Sequence, residues 1–182
     1  MIFVNKSNSS LVILGYSIIR KVFSFLYKLR WKAYYFTMTN RFAYFGRNIA
    51  LDYEVVFIGE ENISIGDNVF IGRNVIINAG KGGAIHIGEG SAVGANSTII
   101  TWNLDNLNNR GLTRSENKNI FKEVHVGKGV GIGYGVTINP GIKLGDGCEV
   151  AAGSVVTRNV NPFEIVAGSP AVVIGIRKEL TK

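Results

Sequence analysis

The chain has 182 residues, 46% of them hydrophobic and 18% charged, which is enough apolar material for one folded domain and excludes a disordered chain. Twenty Lys and Arg against 13 Asp and Glu leave a net charge of +7, and no run of 18 or more apolar residues marks a membrane span. The single cysteine, Cys148, excludes an intrachain disulfide and fits a reducing compartment.

Residues 1–48 read as an N-terminal helical segment. Leu11, Leu14, Ile18, Val22, Phe25, Leu26 and Leu29 recur at three- and four-residue spacing, which predicts a helix over 9–40. Seven basic residues lie in the first 41, Lys6, Arg20, Lys21, Lys28, Arg30, Lys32 and Arg41, and no acidic residue precedes Asp52. Such a stripe packs on its own domain or on a neighbouring subunit; with Trp31, Tyr34 and Tyr35 beside it, it also suits an anionic membrane surface. The apolar stretch Leu11 to Ile19 ends at Arg20 and Lys21 with no small-residue cleavage site, so it reads as mature protein.

From residue 49 to 160 the period becomes six. Val126, Ile132, Ile138, Leu144, Val150 and Val156 are each six residues after the last. The triplets Ile65, Ile71, Ile77 and Ile87, Val93, Ile99 keep the same step, and Ile49 and Ile58-Gly59 read as a more degenerate first coil. A period of six fits neither a helix nor a lone strand. It fits a triangular coil in which each hexapeptide forms one flat side, with the aliphatic residue pointing inward and a small residue after it at the corner. Cys148 falls inside a repeat, where a small core or turn residue is expected.

The register breaks twice. About four residues are inserted around Gly80 to Gly83, and 27 residues separate Ile99 from Val126 where six would suffice. The second insertion, residues 101–123, is mostly polar and carries Trp102, Asp105, Arg110, Arg114 and Glu116. A long loop leaving a rigid coil is the place to expect a substrate or subunit contact.

Three pieces carry a family resemblance: Ile138-Asn139-Pro140-Gly141, the run Ala152-Gly153-Ser154-Val155-Val156-Thr157-Arg158, and Val166-Ala167-Gly168-Ser169-Pro170-Ala171. With the repeats, they make the chain from about residue 50 onward resemble the hexapeptide-repeat acyltransferases, in particular the maltose, galactoside and polysaccharide O-acetyltransferases. That resemblance implies an all-β fold, a left-handed parallel β-helix that ends in a C-terminal extension over 161–182, to which the spacing adds the N-terminal helical segment and the inserted loop. It implies a homotrimer with acetyl-CoA as co-substrate in the groove between adjacent β-helices. Gly133, Ala151, Ala152 and Gly153 would line the groove, and Thr157, Arg158 and Arg177 would lie near the nucleotide end, where a cation can pair with phosphate.

O-acetylation needs a base for the sugar hydroxyl, and histidine is the usual one. Similar enzymes carry it at the start of the long loop, where this chain has Thr101-Trp102-Asn103; Gly131 likewise stands where many relatives have Trp. The two histidines present are His86 and His125, each directly before an inward aliphatic, which predicts a column Ser64, His86, His125, Lys143 up the outside of the coil. His125 is the leading candidate for the base, then His86, then Asp105. No zinc site is expected, since two histidines without a Cys or a carboxylate pair make a poor ligand set.

The reading is an acetyl-CoA-dependent O-acetyltransferase acting on a sugar or oligosaccharide hydroxyl in surface polysaccharide synthesis, cytoplasmic and peripheral at the inner membrane face, with no nucleic-acid partner. A catalytically lapsed β-helix scaffold and an amino-sugar N-acyltransferase are the alternatives.

Overall fold

A period of six with one buried aliphatic per repeat dictates three flat sides, and the computed structural model, which describes residues 9–104 and 119–178 (without the side chains of 9–14, 31, 35, 38 and 104), has three parallel faces. The first carries Tyr44–Phe45, Ile63–Ile65, Ile85–Ile87, Val124–Val126 and Lys143–Leu144. The second carries Ala50–Leu51, Phe70–Ile71, Ala92–Val93, Gly131–Ile132, Glu149–Val150 and Glu164–Gly168. The third carries Val56–Ile58, Ile76–Asn78, Thr98–Ile100, Thr137–Ile138 and Val155–Val156. The result is a left-handed β-helix of about five coils, as the sequence predicts.

Stacking in register turns each repeat position into a column. Ile71, Val93, Ile132, Val150 and Val166 pair along the second face, and Ile77, Ile99, Ile138 and Val156 along the third. Ile65, Ile71, Ile77, Val93, Ile99 and Ile138 are wholly buried. Two residues before each aliphatic a second buried position recurs: Val69, Val75, Ser91, Ser97, Val130, Val136, Ile142, Cys148 and Ser154. The hydroxyls there are satisfied, as buried polar groups must be. Ser91 Oγ donates to the Gly127 carbonyl at 2.8 Å and accepts from the Val130 amide at 3.1 Å; Ser97 does the same with Gly133 and Val136.

The first coil differs from its expected register. Phe45, Leu51 and Phe57 pair with Ile65, Ile71 and Ile77, so these three, six apart, are the inward residues, while Ile58 is 45% exposed. Two of the three are aromatic, and Phe57 packs edge-on against Phe42 with ring centroids 4.9 Å apart. An open end of the coil has room for rings that its interior cannot hold, and the aliphatic pattern therefore stops short of it.

At the other end Glu164–Gly168 lays one more rung on Glu149–Val150 before the chain reverses into the antiparallel strand Ala171–Ile176. The chain splits into two compact units, Met1–Thr39 and Asn40–Lys182. The first contains the helix Ser9–Met38, on which Ile18, Val22, Phe23, Phe25, Leu26 and Leu29 are exposed. No helix among the described residues is long and apolar enough to cross a membrane.

Candidate active site

The two insertions in the repeat meet at one corner. The long loop departs through Trp102–Leu104 and returns through Asn119–Phe121, paired antiparallel with Trp102 opposite Phe121. The Phe121 ring lies over the glycine-rich insertion: a β-carbon on Gly80 would stand 2.9 Å from Phe121 Cε1, and one on Gly82 would stand 3.1 Å from Phe121 Cγ. Thr101 is buried under this stem, its hydroxyl bonded to the Ala79 carbonyl, and the Lys122 amide donates to the Thr101 carbonyl at 2.7 Å. The stem is thereby anchored to the coil and delivers the chain to Glu123 and His125 at the start of the next rung. The loop residues Asp105, Arg110, Arg114 and Glu116 lie outside the described residues.

The expected outer column is present. Ser64 pairs with His86, His86 with His125, and His125 with Lys143. The two imidazoles stack with centroids 4.7 Å apart and an interplanar angle of 18°, the strand spacing expressed in side chains. Glu123 joins them: its Oε2 lies 3.1 Å from His125 Nε2. A carboxylate only accepts, so Nε2 is the donor in this bond, and in the neutral ring the lone pair is then on Nδ1. Sequence reasoning missed Glu123, although a signal was available. Residues two apart on a strand share a side, so Glu123-Val124-His125 projects both side chains outward.

The candidate groove residues separate by corner. Gly133, Ala151, Ala152 and Gly153 come together where the second face turns into the third. The Gly153 amide donates to the Tyr134 carbonyl at 2.7 Å, and a β-carbon on Gly133 would come within 2.6 Å of the Ala152 amide nitrogen. Only glycine permits that approach, which leaves a backbone-lined step on the surface. Thr157 and Arg158, both exposed, lie one corner further on, past Val155–Val156. Arg177 is at the third corner, where its Nη1 donates to the carbonyls of Gly129 at 3.3 Å and Gly147 at 3.2 Å. Within one protomer, therefore, Arg158 and Arg177 do not share a corner.

Gly131 pairs with Ala92 and Glu149 on the outside of the second face, leaving an open step in that column. Cys148 is fully buried, and burial pushes its thiol up from 9.0 to about 11. It fills the same core position as Val130 and Ser91, the opposite of an activated nucleophile's setting.

Residues 123–158 match the family described as bacterial transferase hexapeptide (six repeats), and residues 62–100 match the hexapeptide repeat of succinyl-transferase. Among solved structures, the chain is similar to a hexapeptide-repeat acetyltransferase of Vibrio cholerae O1 biovar eltor complexed with acetyl coenzyme A. That pair is 28% identical with a TM-score of 0.72, covering 80% of this chain and 76% of the other. A maltose O-acetyltransferase from Clostridium difficile is 29% identical, TM-score 0.70, covering 78% of this chain and 73% of its own. A galactoside acetyltransferase in complex with coenzyme A is 28% identical, TM-score 0.71, covering 78% and 68%.

Proposed function

We propose that this chain, one of the hexapeptide-repeat acyltransferases, transfers the acetyl group of acetyl-CoA to a sugar hydroxyl, with His125 as the base. The observation that carries the reading is the 3.1 Å bond from His125 Nε2 to Glu123, which orients an exposed imidazole where the long loop rejoins the coil. Similarity to acetyltransferases complexed with acetyl coenzyme A and with coenzyme A supports the co-substrate. Similarity to maltose and galactoside enzymes supports a sugar as acceptor.

In this mechanism His125 Nδ1 takes the proton of the acceptor hydroxyl as its oxygen attacks the thioester carbonyl. The tetrahedral intermediate collapses, the C–S bond breaks, and the proton passes from the imidazolium to the departing thiolate. Attack is direct, since the one cysteine is buried and no acyl-enzyme nucleophile is evident. The step at Gly133 and Ala151–Gly153 presents backbone to the pantetheine arm. Arg158 from one corner and Arg177 from another serve phosphate only if neighbouring subunits form the groove, which favours a homotrimer. His86 stacks beneath the base as its support. The basic helix Ser9–Met38 would hold the enzyme at the inner face of a membrane, close to lipid-linked sugars of a surface polysaccharide.

One observation favours a second reading. The run Thr101-Trp102-Asn103, whose Trp102 side chain packs in the loop stem near Gly80, stands where similar enzymes carry their histidine, and a lapsed scaffold subunit would look the same. Acetyl-CoA turnover with a panel of sugars and amino sugars decides. The proposal expects turnover with a sugar hydroxyl that His125→Ala abolishes. No turnover and no CoA binding would establish the scaffold, and an amine outcompeting every hydroxyl would make the chain an N-acyltransferase.

A further inference from the structure

We infer that His86, Glu123 and His125 form a binding site for a divalent first-row transition metal ion of the zinc class. The three supply two imidazole nitrogens and one carboxylate oxygen, with one such atom from each lying within 4.8 Å of the others. Zinc bonded at about 2.0–2.1 Å holds tetrahedral ligands about 3.4 Å apart, so no edge need contract by more than about 1.4 Å. Such a contraction falls to the side chains rather than to the rungs. The histidines stand in register on neighbouring strands, and the residues flanking them, Ile85, Ile87, Val124 and Val126, are at most 3% exposed. The coil is thus a rigid base under side chains that face solvent.

The donor set selects the ion. Imidazole suits zinc, cobalt, nickel and copper, whereas calcium and magnesium require oxygen ligands. Three protein ligands leave a fourth position for water or an anion. Lys143, the next rung after His125, sets a positive charge beside the site and weakens it. The sequence discounted zinc because the two histidines had neither a Cys nor a carboxylate pair beside them; the fold brings one carboxylate, Glu123, into reach.

The ion would also act as an inhibitor, and this consequence rests on His125 being the catalytic base. A metal bonded through Nε2 leaves Nδ1 carrying the proton, so the ring has no lone pair for the acceptor hydroxyl.

Cobalt(II) titration of the full chain, stripped of metal by chelator, tests the site directly. One equivalent should produce the visible absorption of four- or five-coordinate cobalt, and zinc should bleach it. His86→Ala and Glu123→Gln should each weaken binding at least tenfold, as loss of a ligand or its close support does, and Lys143→Ala should tighten it. No saturable binding, or binding that either ligand variant leaves unchanged, overturns the proposal. The catalytic reading is measured separately, as acetyl transfer with chelator present. Active protein that binds no cobalt would refute this site alone, and inactive protein that binds it would refute the catalytic reading alone.

Discussion

His86 and His125 lie one directly above the other, 39 residues apart in the chain and 4.7 Å apart between ring centroids. Among the described residues, only the upper ring has a carboxylate partner, Glu123 at 3.1 Å. Parallel, in-register stacking makes neighbours of residues that the loop separates, and it gives the two histidines unequal chemistry.

That inequality predicts an order of mutational effects on acetyl transfer. His125→Ala should lower kcat by about 10²- to 10⁴-fold, the usual worth of general-base catalysis. Glu123→Gln should cost about tenfold, because the ring keeps its lone pair but loses a charged partner that orients it. His86→Ala should cost less than either. Steady-state assays on the three variants check the order, and a His86→Ala loss as large as that of His125→Ala would move the base to His86.

Gly133→Ala should destabilise the coil by about 1–3 kcal/mol, the range for overpacking a close-packed site. The new methyl would sit 2.6 Å from the Ala152 amide nitrogen, and two rungs must separate to admit it. Thermal denaturation measures the effect. Gly153 differs: its φ of +72° strains any substituent, yet no neighbour lies within 4 Å, so Gly153→Asn should be the better tolerated of the two.

Ile138→Ala removes a wholly buried side chain from the middle of the third-face column, between Ile99 and Val156. The narrow core cannot collapse around the gap, because hydrogen-bonded rungs fix its width. The expected loss is about 2–5 kcal/mol, read as a fall in Tm. Ile58→Ala, on the exposed side of the first coil, should shift Tm little.

The Cys148 thiol, pushed up from 9.0 to about 11 by burial, gives stability a defined pH dependence. The folded state holds this proton above pH 9, where the unfolded chain releases it. The contribution is therefore complete below about pH 9 and is lost as pH rises through about 11. Cys148→Val should flatten that alkaline limb, and iodoacetamide at pH 8 should label the thiol only after denaturation.

The helix Ser9–Met38 carries Arg20, Lys21, Lys28 and Arg30 and no acidic residue. If it rests on a membrane, the protein should sediment with vesicles containing anionic lipid and not with neutral ones, and salt should release it. Arg20→Glu with Lys21→Glu should abolish the effect. Equal partition to neutral vesicles would exclude this electrostatic mode.

Much of this was legible in the chain itself. A period of six with buried aliphatics from Ile65 to Val156 has one economical solution, the triangular coil, because no other regular backbone repeats every six residues. Register then made the column of Ser64, His86, His125 and Lys143 predictable. The first coil was misread because Phe45 and Phe57 break the aliphatic pattern where the open end relaxes the limit on size. Which corner each of Arg158 and Arg177 occupies was not legible, because sequence distance says nothing of which corner a residue turns.

What the sequence by itself determined is therefore whatever follows from periodicity: the coil, its core columns, its glycine steps and the faces of its outward residues. The tertiary structure decided what depends on side chains reaching across the period. It set Glu123 against His125, the Phe121 stem over Gly80 and Gly82, and the Arg177 guanidinium on the carbonyls of Gly129 and Gly147. A repeat specifies where backbones stack, because every rung is equivalent. It leaves open which neighbours touch at the insertions, where that equivalence ends.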